Sequence, residues 1–276
     1  MDAKQTSPGP SSKSVSSPRP AAPPKPGAAQ MQNSRLDINT VKSMFPRHYQ
    51  GNAEAGYKLV EKAFADHLRR SKLNLAPDQI QTLRLYLYAT IRAETNKFSP
   101  HDEPANATNS YTYTPYEFQN LSDTPIPLQY GKYVRRSLRN ETLVDAQLYH
   151  GRGYIQLTGW VNYAKYGPAA DLKDLVHSPS QAAEPEPAAK LAVAYVLHDG
   201  NRNRILQALA RGDMAEARAV TNGRGIDVRK NEPARPNGLR DFKRAYLQGI
   251  EAIDPVDLSV RTRALEATLQ GDPNRT

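Results

Sequence analysis

One stretch breaks the helical rhythm of this chain: Tyr149-His-Gly-Arg-Gly-Tyr-Ile-Gln-Leu-Thr-Gly-Trp-Val-Asn-Tyr163. Three glycines, three tyrosines and the chain's one tryptophan fall within these fifteen residues. Gly151 and Gly153 have no Cβ, so the backbone can turn tightly there or come close to a ligand. The alternation from Tyr154 to Thr158 predicts a short half-buried strand. Ile155 and Leu157 then point to a core, and Tyr154, Gln156 and Thr158 point the other way. An aromatic plane, an amide and a hydroxyl on one face suit sugar rings, which offer CH faces for stacking and hydroxyls for hydrogen bonds. The same residues also describe a plain strand beside a turn, and chemistry alone leaves both readings open.

Around this stretch the pattern is helical. Tyr57, Val60, Phe64 and Leu68 recur at helical spacing and predict a helix over 53–70. Pro77-Asp78 opens a second helix, with Ile80, Leu83, Leu87 and Ile91 on one stripe. Further helices are expected near 186–198, 202–211, 213–221 and 237–252, with Gly200 and Gly212 punctuating the first three. Residues 99–130 carry five prolines among Asn, Ser, Thr and Tyr. A loop of that length in a compact domain is usually functional. Residues 1–35 are rich in Pro, Ser and Ala and too poor in large apolar side chains to offset their ordering entropy. The expected organisation is a disordered tail over 1–35, one domain over 36–254, and a peripheral helix (Asp257–Leu269) with a frayed end over 255–276. The fold class expected is mainly α, with a small β element near 149–158.

Composition removes several function classes. There is no cysteine among the 276 residues, so disulfides, thiolate nucleophiles and cysteine-ligated zinc are excluded. No apolar run reaches the roughly 18–20 residues of a membrane span. The start, MDAKQTSPGPSSKS, lacks the apolar core of a signal peptide, so synthesis in the cytoplasm is expected. Of the net charge of +9, the tail holds five basic residues against one acidic. The moderately basic remainder suits an anionic polymer or a merely solvated surface. No zinc finger, RNA-recognition signature or arginine stripe points to nucleic acid. His101-Asp102-Glu103 does not read as a metal site, because three consecutive side chains rarely converge on one ion.

The stripe of the second helix, carried one step beyond Ile91, reaches Glu94. A carboxylate there either meets water at the helix end or is partly desolvated. Burial would favour its protonated form, the property required of a glycosidase general acid. Nine residues on, Glu103 sits in a proline-flanked loop where a solvated, ionised carboxylate could act as a base. Two carboxyls in contrasting environments make an acid/base pair.

These segments together resemble glycoside hydrolase family 19, the chitinases and their lysozyme-like phage and bacterial relatives. The carrying residues are Ala93-Glu94-Thr95 with Phe98 and Glu103, then Asp145 and the run Tyr149–Tyr163. Asp174-Leu175-Val176 with Pro179, Thr221-Asn222-Gly223 and Asn237-Gly238-Leu239 extend the match over roughly residues 40–250. The resemblance implies a lysozyme-like helical domain with a cleft for β-1,4-linked N-acetylhexosamine polymers. It implies Glu94 as general acid, Glu103 as general base and Thr158 as a hydroxyl that helps hold the attacking water. Gln156, Asn162 and Tyr154 would contact sugar, Arg152 would brace the cleft, and Asn222 would be a further contact. Trp160 stands where an arginine is common and could stack on sugar or fill the core. Arg92-Ala93, Asn96-Lys97 and Glu103-Pro104-Ala105 depart from the family pattern. So does the segment after Tyr133-Val-Arg-Arg136, and Glu117 and Glu141 are fallback bases.

The function expected is inverting hydrolysis of cell-wall glycan, with peptidoglycan as partner and no cofactor. A cytoplasmic start suits an endolysin released by a holin or an antibacterial effector delivered by a secretion machine, with action in the periplasm or cell wall. A delivery or immunity protein would then be a further partner. A chitinase is the alternative within the class. A non-catalytic module that binds cell-wall glycan is the alternative outside it.

Overall fold

Asp37 begins the helical body by capping its first helix, its carboxylate accepting from Asn39 N at 2.7 Å and Thr40 N at 3.0 Å. The computed structural model describes residues 36–95, 97–102, 138–140, 143–223, 226–227, 232–233 and 235–253. Helix α1 (Ile38–Ser43) leads through a single turn (Arg47–Tyr49) to α2 (Gln50–Ser71) and α3 (Pro77–Thr95). After β1 (His101–Asp102) come α4 (Leu143–Leu148), β2 (Arg152–Gly153) and α5 (Trp160–Ala169). Then follow α6 (Pro185–Leu197), α7 (Asp199–Ala210) and α8 (Met214–Asn222). The short pair β3 (Ile226–Asp227) and β4 (Glu232–Pro233) precedes α9 (Leu239–Ile253). The class is mainly α, as the helical stripes predict. No helix among the described residues is long and apolar enough to cross a membrane.

Helix α3 is buried on every side from Leu83 to Arg92, which makes it the central element. Helix α9 packs along it, α6 packs on α2, and α7 on α8. One ion pair is sealed inside this core. Arg84 Nε meets Glu61 Oε2 at 3.0 Å, with the two side chains 4% and 0% exposed. Tyr88 OH donates to the other carboxylate oxygen at 2.9 Å, and the Arg84 guanidinium lies 4.5 Å over the Phe64 ring. Each charge is matched where it lies, which is the condition for burying it.

The predicted strand over 154–158 is a turn. Strand β2 pairs antiparallel with β1, His101 opposite Gly153 and Asp102 opposite Arg152. The chain then reverses over Tyr154–Gln156 and returns for a single bridge, Leu157 N donating to Arg152 O at 2.9 Å. Gln156 takes a left-handed φ of 51°. Gly153 has φ 81°, and a Cβ there would lie 2.6 Å from Ala182 O, so only glycine fits. Because the segment turns, the two faces of a strand do not exist. Tyr154 and Ile155 are both buried, at 1% and 4% exposure. From Trp160 the motif is already helix α5, which periodicity in this segment did not predict. The tail 1–35, residues 103–130 of the long loop and the proposed last helix lie outside the described residues.

Candidate active site

Two groups of side chains contain the residues singled out in the sequence. The first gathers at the end of α3. Ile80, Leu83, Leu87 and Ile91 are buried, and Glu94 ends their stripe with its side chain 12% exposed. What makes this burial tolerable is Arg218 of α8, whose Nη1 lies 2.7 Å from Glu94 Oε1 and whose side chain is 1% exposed. Arg218 Nε donates to Asn237 O at 2.9 Å, and Asn237 N donates to Asn222 Oδ1 at 2.9 Å. Asn222 and Asn237 thus close the segment between α8 and α9. Gly238, at φ 67°, lies against this knot: a Cβ there would come within 3.2 Å of both Arg218 Nη2 and Ala93 O. Tyr86, one helical face away, donates to Ala217 O at 3.0 Å and meets Thr221 Oγ1 at 2.6 Å. Burial first of all pushes its phenol above the ordinary value.

The second group is the glycine-rich motif. Arg152 is buried and held on all sides. Nη1 donates to Leu148 O at 2.6 Å and to Tyr163 OH at 3.1 Å, and Nε pairs with Asp102 Oδ1 at 3.1 Å. His150 Nε2 reaches the same Asp102 oxygen at 2.5 Å, and its Nδ1 faces Gln147 O. Gln156, half-buried, donates from Nε2 to Gly153 O at 2.9 Å and His101 O at 3.1 Å. Its amide oxygen makes no hydrogen bond among the described residues. Thr158 Oγ1 donates to Gln156 O at 2.9 Å, and Asn162 Nδ2 to Thr158 O at 2.6 Å. Both are half-buried.

Tyr154 differs from expectation. Its ring packs edge-on against Phe98, with centroids 5.6 Å apart, and leaves no face for a sugar. Burial pushes its phenol up to about 12, as it does that of Tyr163, where Arg152 acts in the opposite direction. Trp160 is half-buried against the core, its backbone N–H donating to Asn140 Oδ1 at 3.0 Å. Asp145 lies in the first turn of α4. Glu103, Glu117 and Glu141 lie outside the described residues.

Arg218, Asp102 and His150 are the residues sequence reading missed. Arg218 carried a signal: it follows Met214 and precedes Thr221 on the buried side of α8, a charge on an apolar stripe like Glu94. Among the described residues no three His, Asp or Glu side chains stand close enough to hold a metal ion. A surface pocket of about 280 Å³ opens between Lys62, Asp66, Arg69, Arg70, Asp171 and Lys190, away from both groups. Its charges pair with one another, Arg70 with Asp171 at 3.1 Å and Lys62 with Asp66 at 3.4 Å. Exposed pairs of this kind mark a solvated surface. No model of a known protein family matches the chain, and no curated protein matches it at a significant level.

Proposed function

We propose that the chain is a peptidoglycan-degrading glycoside hydrolase of the inverting kind, with a lysozyme-like helical body and a glycan cleft floored by the 149–163 motif. The observation that carries this reading is Glu94, a carboxylate at the water-reaching end of an otherwise apolar stripe, held in place by one buried guanidinium. Oε1 is bound by Arg218, and Oε2 makes no hydrogen bond among the described residues. That leaves Oε2 to address a glycosidic oxygen. Gln156 offers a carbonyl oxygen to a hydroxyl or acetamido N–H. Thr158 offers hydroxyl lone pairs to a water molecule, its proton being engaged by Gln156 O.

Glu94 would protonate the leaving oxygen while a carboxylate on the opposite face of the ring, Glu103 in this proposal, deprotonates the water. Such a pair stands roughly 6.5–9.5 Å apart, against about 5–5.5 Å in a retaining pair. The test is digestion of purified peptidoglycan, with the new reducing ends identified by mass spectrometry. MurNAc ends support a muramidase, while cleavage of chitin oligomers alone supports the chitinase alternative. Near-normal lysis by Glu94→Gln would overturn the assignment.

A further inference from the structure

Helix α9 buries Leu239, Phe242, Ala245, Tyr246 and Gly249 on one face. On its other face Arg240 and Arg244 are exposed. Four residues apart, they stand one above the other, a spacing at which like charges weaken a helix. Neither makes a hydrogen bond or an ion pair among the described residues. The acid between them in sequence, Asp241, faces inward: its Oδ1 lies 3.6 Å from Nη2 of Arg92 on α3, a side chain 10% exposed. Burial foremost holds the Arg92 guanidinium below its ordinary value, the charge of Arg244 adds to this, and Asp241 acts against it. The next acid along the outer face, Glu251, lies about two turns beyond Arg244. The row also begins beside the proposed general acid. Gly238, the residue before α9, is so close to α3 that a Cβ on it would lie 3.2 Å from Ala93 O, and Ala93 precedes Glu94.

We propose that Arg240 and Arg244 form a subsite for the carboxylates of peptidoglycan stem peptides, next to the end of α3 that carries Glu94. This rests on the glycosidase reading and deepens it by naming the charged part of the substrate. Two guanidinium forks without acid partners match carboxylates in charge and in geometry, because each fork can give two parallel N–H bonds to one carboxylate. Stem peptides on MurNAc carry free carboxylates, whereas chitin carries no charge. The subsite therefore serves the peptide-bearing polymer and adds nothing to the uncharged one.

The experiment measures binding by sedimentation with insoluble peptidoglycan freed of wall phosphate polymers, at a temperature below the melting transitions. It compares E94Q with the triple variant E94Q/R240Q/R244Q. The second probe is the same peptidoglycan with its carboxylates converted to amides by carbodiimide coupling. Loss of both arginines is expected to raise Kd about tenfold, the scale of two exposed ion pairs. Amidation is expected to weaken E94Q by the same factor and to leave the triple variant unchanged, since two changes to one contact do not add. Equal Kd values for the two proteins on unmodified peptidoglycan would overturn the inference. So would an E94Q protein indifferent to amidation, or an arginine effect that survives it. Reducing ends released by the unsubstituted chain are scored separately. A chain that releases none but needs its arginines to bind fails as a glycosidase and keeps the subsite. One that cleaves peptidoglycan and binds equally without them keeps the activity and loses the subsite.

Discussion

Two Glu–Arg pairs tie helix α3 to its neighbours, one at its middle and one at its end. Glu61–Arg84 is sealed, with exposures of 0% and 4%, and Tyr88 satisfies the second carboxylate oxygen. Glu94–Arg218 has an equally buried arginine, 1% exposed, but a carboxylate that keeps 12% of its surface and one oxygen without a hydrogen bond. The same two residue types therefore do different work. In the first pair each carboxylate oxygen has a partner, Arg84 on one and Tyr88 on the other, and the pair ties α2 to α3. In the second, the helix end leaves one oxygen uncommitted and partly exposed, which is where the proposed glycosidase reading puts its acid.

The sharpest way to break this comparison is Glu94→Gln. Its turnover on peptidoglycan should fall about 10²–10⁴-fold, with a melting transition lowered less than that of Glu61→Ala, because the amide still fills the place beside Arg218 but leaves its charge unmatched. Glu61→Ala should spare turnover. Stranding Arg84 should cost about 3–5 kcal/mol in denaturant unfolding, while activity per folded molecule stays normal. An active Glu94 variant or a fully stable Glu61 variant would erase the distinction between the pairs. Thr158→Ala should lower kcat about tenfold, below the range for a general acid because it removes only a water-holding hydroxyl, with the circular dichroism spectrum preserved.

The smallest effect is on pH. Burial raises Tyr154 and Tyr163 to about 12, against about 10 in an unfolded chain. Folding favours the neutral phenols, so their contribution to stability is complete below pH 10 and is lost as the pH rises through 12. Alkaline unfolding followed by phenolate absorbance should show tyrosines ionising together with loss of structure. Early ionisation without unfolding would mean that these rings are not the sealed core described.

The helices were legible because their apolar stripes are long, and Glu94 was legible as the charge that ends one. Its partner was less so, since nothing in the spacing of 94 and 218 says that α8 crosses α3 there. A charge on a buried stripe does imply a partner, and Arg218 on the stripe of α8 carries the same mark. The motif was misread in shape for a definite reason. Period-two alternation over five residues is produced equally by a strand and by a turn whose corner residue adopts a left-handed φ. Gln156 is such a corner, at 51°, a conformation that sequence gives little cause to assign to glutamine. Tyr154 was accordingly placed on an outer face that the turn abolishes. Trp160 was recognised as aromatic surface, but the helix it begins was hidden by Gly159, Gly167 and Pro168.

The ladder between β1 and β2 also bears on the order of events in folding. It joins His101 to Gly153, about fifty residues apart, whereas the contacts within each helix are local. Closing a loop of that length costs chain entropy before two short strands return anything. Helices α2, α3 and α6 can assemble without it. The junction of β1 with the motif is therefore expected to be the last part of the molecule to form and the first to open. Its backbone amides should exchange with solvent through local opening, well below the free energy of global unfolding.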